Sequence, residues 1–376
     1  MRVRTLLILA IATLAVAIAA VVVDTRGPAG SRGGAGELLF PGLADKINDA
    51  ARITVATADR KFTVARADAG WAVADKYGYS AKFDTVRSTL VGLAQLRTVE
   101  AKTAEPSLYP RIEVEEASGK GAKSATITVE DAKGATLASL ILGKRRYGRG
   151  GGDNAVMLYV RKPGEARSWL AKGTLERNDD LANWLQREVV SLDRGRVRQV
   201  SVTSPGQQPF TIKKDKPGGG DFTLEAVPQE DKVKSSYEVN AIAGGLAGLM
   251  LEDVLPAKDL KPEAKLLRTL EYKSFDGLVL DVALYQQDGK TWAKVQANFD
   301  PNSVAGAPAE GASGQDKAAQ GSQEAAGSTG ADAVRKEAEE IAARTKDWVY
   351  GLGAGDLATL EKKFADLIEP KEKPKS

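Results

Sequence analysis

A chain of 376 residues has room for two domains of ordinary size, and with 43% hydrophobic and 27% charged residues it can bury a core. Its 53 basic and 50 acidic side chains leave a net charge of +3, too balanced for nucleic acid or acidic lipid to be the main partner. The absence of His and Cys excludes the usual zinc and copper sites, Cys nucleophiles, Ser-His triads, disulfides and an anchor acylated on Cys.

From the N-terminus, residues 6–23 are apolar except for Thr13. At about 1.5 Å per residue they span roughly 27 Å as a helix, close to the hydrocarbon core of a thin bilayer. Arg2 and Arg4 precede the run, so residues 1–5 are expected in the cytoplasm and everything after the helix outside it. The sequence therefore predicts a single-pass inner-membrane protein with a periplasmic bulk. Ala17 and Ala19 also offer a signal-peptidase site, but the apolar run continues past it through Val21, Val22 and Val23. An uncleaved anchor is the favoured reading. Residues 24–40, with Gly27, Pro28, Gly30, Gly33 and Gly34, are expected to be a flexible tether.

The first folded element is a short helix over 43–50. Strand patterns follow at Arg52-Ile53-Thr54-Val55, at Lys61 to Arg66 and at Trp71-Ala72-Val73, where apolar residues alternate with polar ones. Asp84 then reads as the N-cap of a helix whose Val86, Leu90 and Leu93 share one face. Strands are expected at 125–129, 137–142 and 156–160, the first two joined by the hairpin signal Asp131-Ala132-Lys133-Gly134. Trp169-Leu170-Ala171 leads towards a helix with Leu181, Trp184 and Leu185.

Near Leu192 the pattern begins again. Gln199-Val200-Ser201-Val202 matches Arg52-Ile53-Thr54-Val55, and Phe210-Thr211-Ile212 matches Phe62-Thr63-Val64. Ile242, Leu246 and Leu249 repeat the helix spacing, and Gly245-Leu246-Ala247-Gly248-Leu249 resembles Gly92-Leu93-Ala94-Gln95-Leu96. Strands at 266–272, 278–285 and 292–295 follow. Trp348-Val349-Tyr350 and a helix with Leu360, Phe364 and Leu367 close the second copy as Trp169 closes the first. The fold class expected is α+β: a tandem duplication of a β-rich antiparallel-sheet unit with packed helices, after an N-terminal transmembrane helix. The first repeat covers 41–195, and the second covers 196–300 and 345–370. Between the second repeat's two parts, 301–330 is rich in Gly, Ala and Ser and is expected as a disordered insertion, with an exposed helix over 331–344.

Catalytic patterns open to this residue set are missing: there is no Ser-x-x-Lys, no Gly-x-Ser-x-Gly and no P-loop. The carboxylates Glu100, Glu105, Glu113, Glu115, Glu116, Glu130 and Asp131 could supply a glycosidase pair, but a solvated stretch explains them better. Lys144-Arg145-Arg146-Tyr147-Gly148-Arg149-Gly150-Gly151-Gly152-Asp153 is the one local charge cluster, an anion contact through arginines and glycine amides or, more simply, a hairpin loop. The tryptophans Trp71, Trp169, Trp184, Trp292 and Trp348 fit core positions better than a sugar-stacking set. No catalytic, cofactor-binding or metal-ligating residue is assigned.

The anchor, the strand Ile53-Thr54-Val55, the following Phe62-Thr63-Val64, the Trp71 strand, the Leu-rich helix end and the closing Trp348-Val349-Tyr350 together resemble the domain of unknown function 4340 family over most of 40–370. The resemblance implies no catalytic residues. It implies an auxiliary envelope role beside ABC-transporter components of the kind linked to gliding motility. The expectation is thus a non-enzymatic, membrane-anchored envelope protein whose partners are the inner membrane and ABC-transporter-type membrane proteins, with no nucleic acid, metal or cofactor. The alternative is a periplasmic ligand-binding protein or a carboxylate-based envelope hydrolase.

Overall fold

The computed structural model describes residues 36–68, 70–147, 156–304 and 321–370, the backbone alone for 321–329. The expected transmembrane segment 6–23 lies outside the described residues. Among the described residues no helix is long and apolar enough to cross a membrane. Two compact units divide the chain, Met1–Gln186 and Arg187–Ser376.

In the first unit β1 (Ala50–Ala56), β2 (Lys61–Ala67), β3 (Gly70–Val73) and β4 (Tyr79–Ser80) form a meander. Alternation places Ile53, Val55, Phe62, Val64 and Val73 inside and leaves Lys61 and Arg52 outside. Helix α2 (Phe83–Gln95), after the short α1 (Leu43–Lys46), buries Val86, Leu90 and Leu93. Asp84 lies in its first turn, and Lys82 takes the cap position. The chain continues through β5 (Arg97–Ala101), α3 (Tyr109–Ile112), β6 (Ala125–Asp131), β7 (Thr136–Tyr147), β8 (Val156–Arg161) and β9 (Ser168–Lys172). The sheet order is β4-β3-β2-β1-β6-β7-β8-β9-β5, antiparallel throughout. The β6–β7 turn forms where Asp131 Oδ1 accepts from the Lys133 and Ala135 N–H groups at 2.8 Å. Leu181–Trp184 is a 3-10 turn, shorter than the helix expected there. It sets Trp184 at 0% exposure with its indole N–H on the Asn178 carbonyl at 2.8 Å.

The expected tether 24–40 is folded at its end. Leu38 bridges Arg97, and the Leu39 N–H donates to the Leu96 carbonyl at 2.8 Å. The apolar trio Leu38-Leu39-Phe40 explains this, since Leu39 is only 5% exposed.

The second unit holds β10 (Glu188–Val190), β11 (Val197–Thr203), β12 (Phe210–Lys213), β13 (Thr223–Leu224), β14 (Asp231–Val233), α4 (Ser236–Ala243), β15 (Leu249–Pro256), β16 (Lys265–Ser274), β17 (Leu278–Gln287) and β18 (Lys290–Phe299). It ends with α5 (Gly321–Thr345), β19 (Trp348–Leu352), α6 (Ala354–Leu360), α7 (Phe364–Leu367) and β20 (Ile368–Pro370). The main sheet runs β10-β15-β19-β18-β17-β16-β11-β12-β13, with β14 and β20 as a separate ribbon. The second unit starts before the expected 195/196 boundary because β10 pairs with β15. In both units three strands in reverse chain order, β3-β2-β1 and β13-β12-β11, lead into a four-strand meander, β6 to β9 and β16 to β19, and the strand after the helix, β5 or β15, lies beyond its end.

The expected insertion 301–330 is described only at its ends. Pro301–Ser303 is a 3-10 turn, 305–320 lies outside the described residues, and 321–330 is already helical. The helix over 331–344 is not an exposed one. Val334, Ala338, Ile341 and Thr345 line one face, all at most 9% exposed, and α5 packs on β17 and β18. Arg196 holds it further through Glu337 at 2.8 and 2.9 Å and ties this pair to Asp276 at 2.8 Å. Replacing Ile341 with Ala should therefore destabilise the second unit by about 2–4 kcal/mol in urea unfolding. A change below about 0.5 kcal/mol would mean that the helix contributes no core.

Candidate functional site

One face of the first sheet gathers most of this unit's unusual chemistry. Towards the loops that follow β5, the segment 103–124 lies over β7 and β8. Tyr109 and Val114, with Ile112 beside them, pack on Ile141 and Tyr159. Arg161, 4% exposed, clamps the segment. Its Nε donates to the Val114 carbonyl at 2.8 Å, Nη1 to the Glu165 carbonyl at 3.0 Å and Nη2 to Glu116 at 2.7 Å. The guanidinium also stands 4.5 Å over the Tyr109 ring. A buried guanidinium with all three nitrogens engaged on backbone and a carboxylate is a structural fastening.

At its other end the same face carries basic side chains. Register places Arg97 opposite Lys172, Lys172 opposite Met157 and Met157 opposite Arg146. Directly paired residues in antiparallel strands point to one side, so Arg97, Lys172, Met157 and Arg146 form a row across β5, β9, β8 and β7. Lys172 and Arg146 are exposed and Arg97 is half-buried, donating to the Gly36 carbonyl at 3.3 Å. Glu100 and Glu176 are acidic neighbours among the described residues. The hydrogen bond that Glu100 accepts from the Lys102 ammonium at 2.6 Å, with the Lys102 and Arg146 charges, holds the Glu100 carboxyl below the usual range. At the strand ends a groove of about 480 Å³ is lined by Arg145, Val156, Lys172, Gly173, Thr174, Leu175 and Glu176.

The charge cluster read from the sequence as a loop is thus strand over Lys144, Arg145, Arg146 and Tyr147, which belong to β7. Residues 148–155, with Arg149, lie outside the described residues. The carboxylates are committed one by one. Glu113 sits between Lys144 and Arg177 at 3.9 and 3.8 Å, and Glu115 accepts from the Lys123 N–H at 2.7 Å. Glu116 pairs with Arg161, and Glu130 meets Arg52 at 3.3 Å. Asp131 serves the turn, and Glu105 accepts from the Ser107 hydroxyl at 3.4 Å. The stretch 113–116 is therefore not simply solvated, as Glu115 Oε2 is buried. Of the tryptophans, Trp184 and Trp292 are buried, while Trp71, Trp169 and Trp348 are half-exposed. Among the described residues no group of three or more Asp and Glu side chains is placed to hold a metal ion. Sequence reasoning missed Arg97, Lys172 and Arg161, because only strand register brings them into one row or under one loop.

A family model described as a domain of unknown function (DUF4340) matches residues 71–266, just over half the chain. The match runs from β3 of the first unit to the start of β16 in the second. No curated protein and no solved structure matches the chain.

Proposed function

Starting from a chain that belongs to the DUF4340 family, we propose that it is a membrane-anchored, non-enzymatic envelope module built by tandem duplication, with its bulk in the periplasm and a partner among the membrane proteins of an ABC-type transport system. The observation that carries the reading is the use made of buried polar side chains. Arg161 is committed to the segment over β8. In the second unit Arg268, 5% exposed, donates to Ser204 at 2.9 Å, to the Leu360 carbonyl at 2.9 Å and to the Lys362 carbonyl. Asn240 bridges Asp221 at 2.7 Å and the Phe222 N–H at 2.9 Å. These groups brace loops, as an interaction scaffold requires.

The duplication is supported by matching irregularities. Strands β1 and β11 each shift register at one place, between Ala50 and Arg52 and between Val197 and Gln199. This puts Ile53 level with Val200. The strand after the helix shifts between Thr98 and Glu100, and again between Leu251 and Asp253. By that register Trp169 stands level with Tyr350, two residues beyond the expected Trp348. Gly92 and Gly245 also match. A Cβ on Gly92 would come within 2.9 Å of the Leu175 Cα, and one on Gly245 within 2.8 Å of the Leu360 side chain.

The test of the anchor is fractionation. The full chain should sediment with membranes and keep residue 1, and protease added outside spheroplasts should digest the folded units. A mature N-terminus near Val21 would overturn the anchor. Cross-linking in the native membrane should then recover transporter membrane subunits, and their absence would remove the partner assignment.

A further inference from the structure

We propose that the ribbon β14–β20 is a strap that closes on β13, and that the carboxylate of Asp231 holds it open. The inference rests on the duplication reading and carries it to an edge where the two sheets differ.

Around this edge the two units keep the same hydrogen bonds. In the first, the Lys82 N–H donates to the Trp184 carbonyl at 2.7 Å and Ala81 bridges Leu185. In the second, the Lys234 N–H donates to the Leu367 carbonyl at 2.9 Å and Val233 pairs with Ile368. Ala81 thus corresponds to Val233, Ser80 to Lys232 and Tyr79 to Asp231. Towards the sheet, Val64 pairs with Val73 and Ile212 with Leu224, so Val73 corresponds to Leu224 and Ala72 to Thr223. The first unit joins these strands, Ala72 to Ser80 and Val73 to Tyr79. In the second, β13 pairs with β12 and β14 with β20, and no ladder joins β13 to β14.

The difference at the joint is a charge. Tyr79 is 3% exposed, and its hydroxyl donates to the Gln186 carbonyl at 3.1 Å. Asp231 in that place would set a carboxylate level with Leu224, itself 5% exposed. An ionised group costs more to bury than the few cross-strand hydrogen bonds of so short a ladder give back. Strand β14 accordingly stays out of the main sheet, and the Asp231 N–H turns back on the Pro228 carbonyl at 3.0 Å. Length does not prevent closing. Five residues, 74–78, join Val73 to Tyr79, and six, 225–230, join Leu224 to Asp231. The strap is also held nearby. Helix α4 starts just after β14, capped by Ser235, and its Asn240 accepts from the Phe222 N–H beside β13 at 2.9 Å. Phe364, on the helix leading into β20, packs on Phe210 of β12 with ring centroids 6.1 Å apart. The strap therefore decides whether β13 shows an unpaired backbone edge, where another strand can add, or a covered one.

The absence of Cys makes the test direct. Full-length chains carry one pair of cysteines, Ala72→Cys with Ser80→Cys or Thr223→Cys with Lys232→Cys. Thr223 and Lys232 are both exposed, so replacing them leaves the core alone. Directly paired residues have Cα atoms about 4.5–5.5 Å apart, within reach of a disulfide. Under a mild oxidant the first pair should link fast. The second should link at least about tenfold more slowly, since its rate follows the closed fraction. Adding Asp231→Tyr or Asp231→Asn should speed the second pair at least about fivefold. Asp231→Glu, which keeps the charge, should leave it slow. A second pair that links as fast as the first in the parent would show a ladder already closed and overturn the strap. So would a slow pair that neither neutral substitution speeds, and in that case the duplication would stand on the register shifts within the two sheets. If Asp231→Asn instead sped a Thr223→Cys, Val233→Cys pair and not the Thr223→Cys, Lys232→Cys pair, the shared register would be overturned and the strap with it.

Discussion

Arg161→Ala should lower the stability of the first unit by about 3–5 kcal/mol, read as a shift in the urea midpoint at unchanged slope. The ion pair with Glu116 contributes little to this, because the Glu116 side chain is 54% exposed and screened by water. The loss comes from the carbonyls. Val114 is 0% exposed, so its oxygen keeps no donor once Nε is gone, and water cannot replace it without opening the loop. The Tyr109 ring loses the cation stacked on it at the same moment. Hydrogen exchange should localise the damage to 109–117, which then opens while the sheet stays protected. Arg161→Lys should recover only part of the loss, since an ammonium cannot reach three acceptors in a fixed fork. Glu116→Gln should cost under about 1 kcal/mol. An Arg161→Ala variant within about 1 kcal/mol of the parent would show that the segment is held by its apolar residues alone.

Leu93→Ala and Leu246→Ala should each cost about 3–5 kcal/mol, and by similar amounts. Both side chains are 0% exposed, and both follow the glycine that lets the neighbouring chain approach closely. Trp184 reports on the first unit and Trp292 on the second, so single-tryptophan variants can separate the two transitions. Under the proposed duplication, counted from Gly92 and Gly245, Ala243 would occupy the place in the second unit that Leu90 fills in the first. Truncating Leu90 would then remove a contact that has no counterpart. If Leu246→Ala proved nearly neutral while Leu93→Ala was severe, the two helices would not be equivalent elements.

The sequence carried most of the strands, because half-buried antiparallel strands write their burial as alternation: Ile53 and Val55, Phe62 and Val64, Val200 and Val202 all point inward as the pattern requires. The helices were harder to align. The i, i+4, i+7 stripes Val86-Leu90-Leu93 and Ile242-Leu246-Leu249 suggest one offset between copies, and the Gly-Leu-Ala match suggests another. The element ends speak against the first, since α4 stops at Ala243 and Leu249 already belongs to β15, whereas Leu93 lies within α2. A three-residue slip is invisible to a pattern with a period near 3.6. The buried face of α5 was missed because alanine at 338 and threonine at 345 carry little apolar signal beside Glu337, Glu339 and Glu340. The cationic row was not legible at all. Arg97, Arg146 and Lys172 are far apart in sequence, and nothing local in the chain states that they share a row.

The placement of β19 has a consequence for the order in which the molecule can be made. As the chain emerges from its N-terminus, the first sheet has all its strands once residue 172 is out. The second does not. Strands β15 and β18 are finished by residue 299, but the strand that joins them is Trp348–Leu352. Through all the intervening synthesis both present unpaired backbone edges, and such edges recruit other strands. The vulnerable interval in the life of this protein is therefore a kinetic one, set by how long the newborn second unit waits for its last central strand.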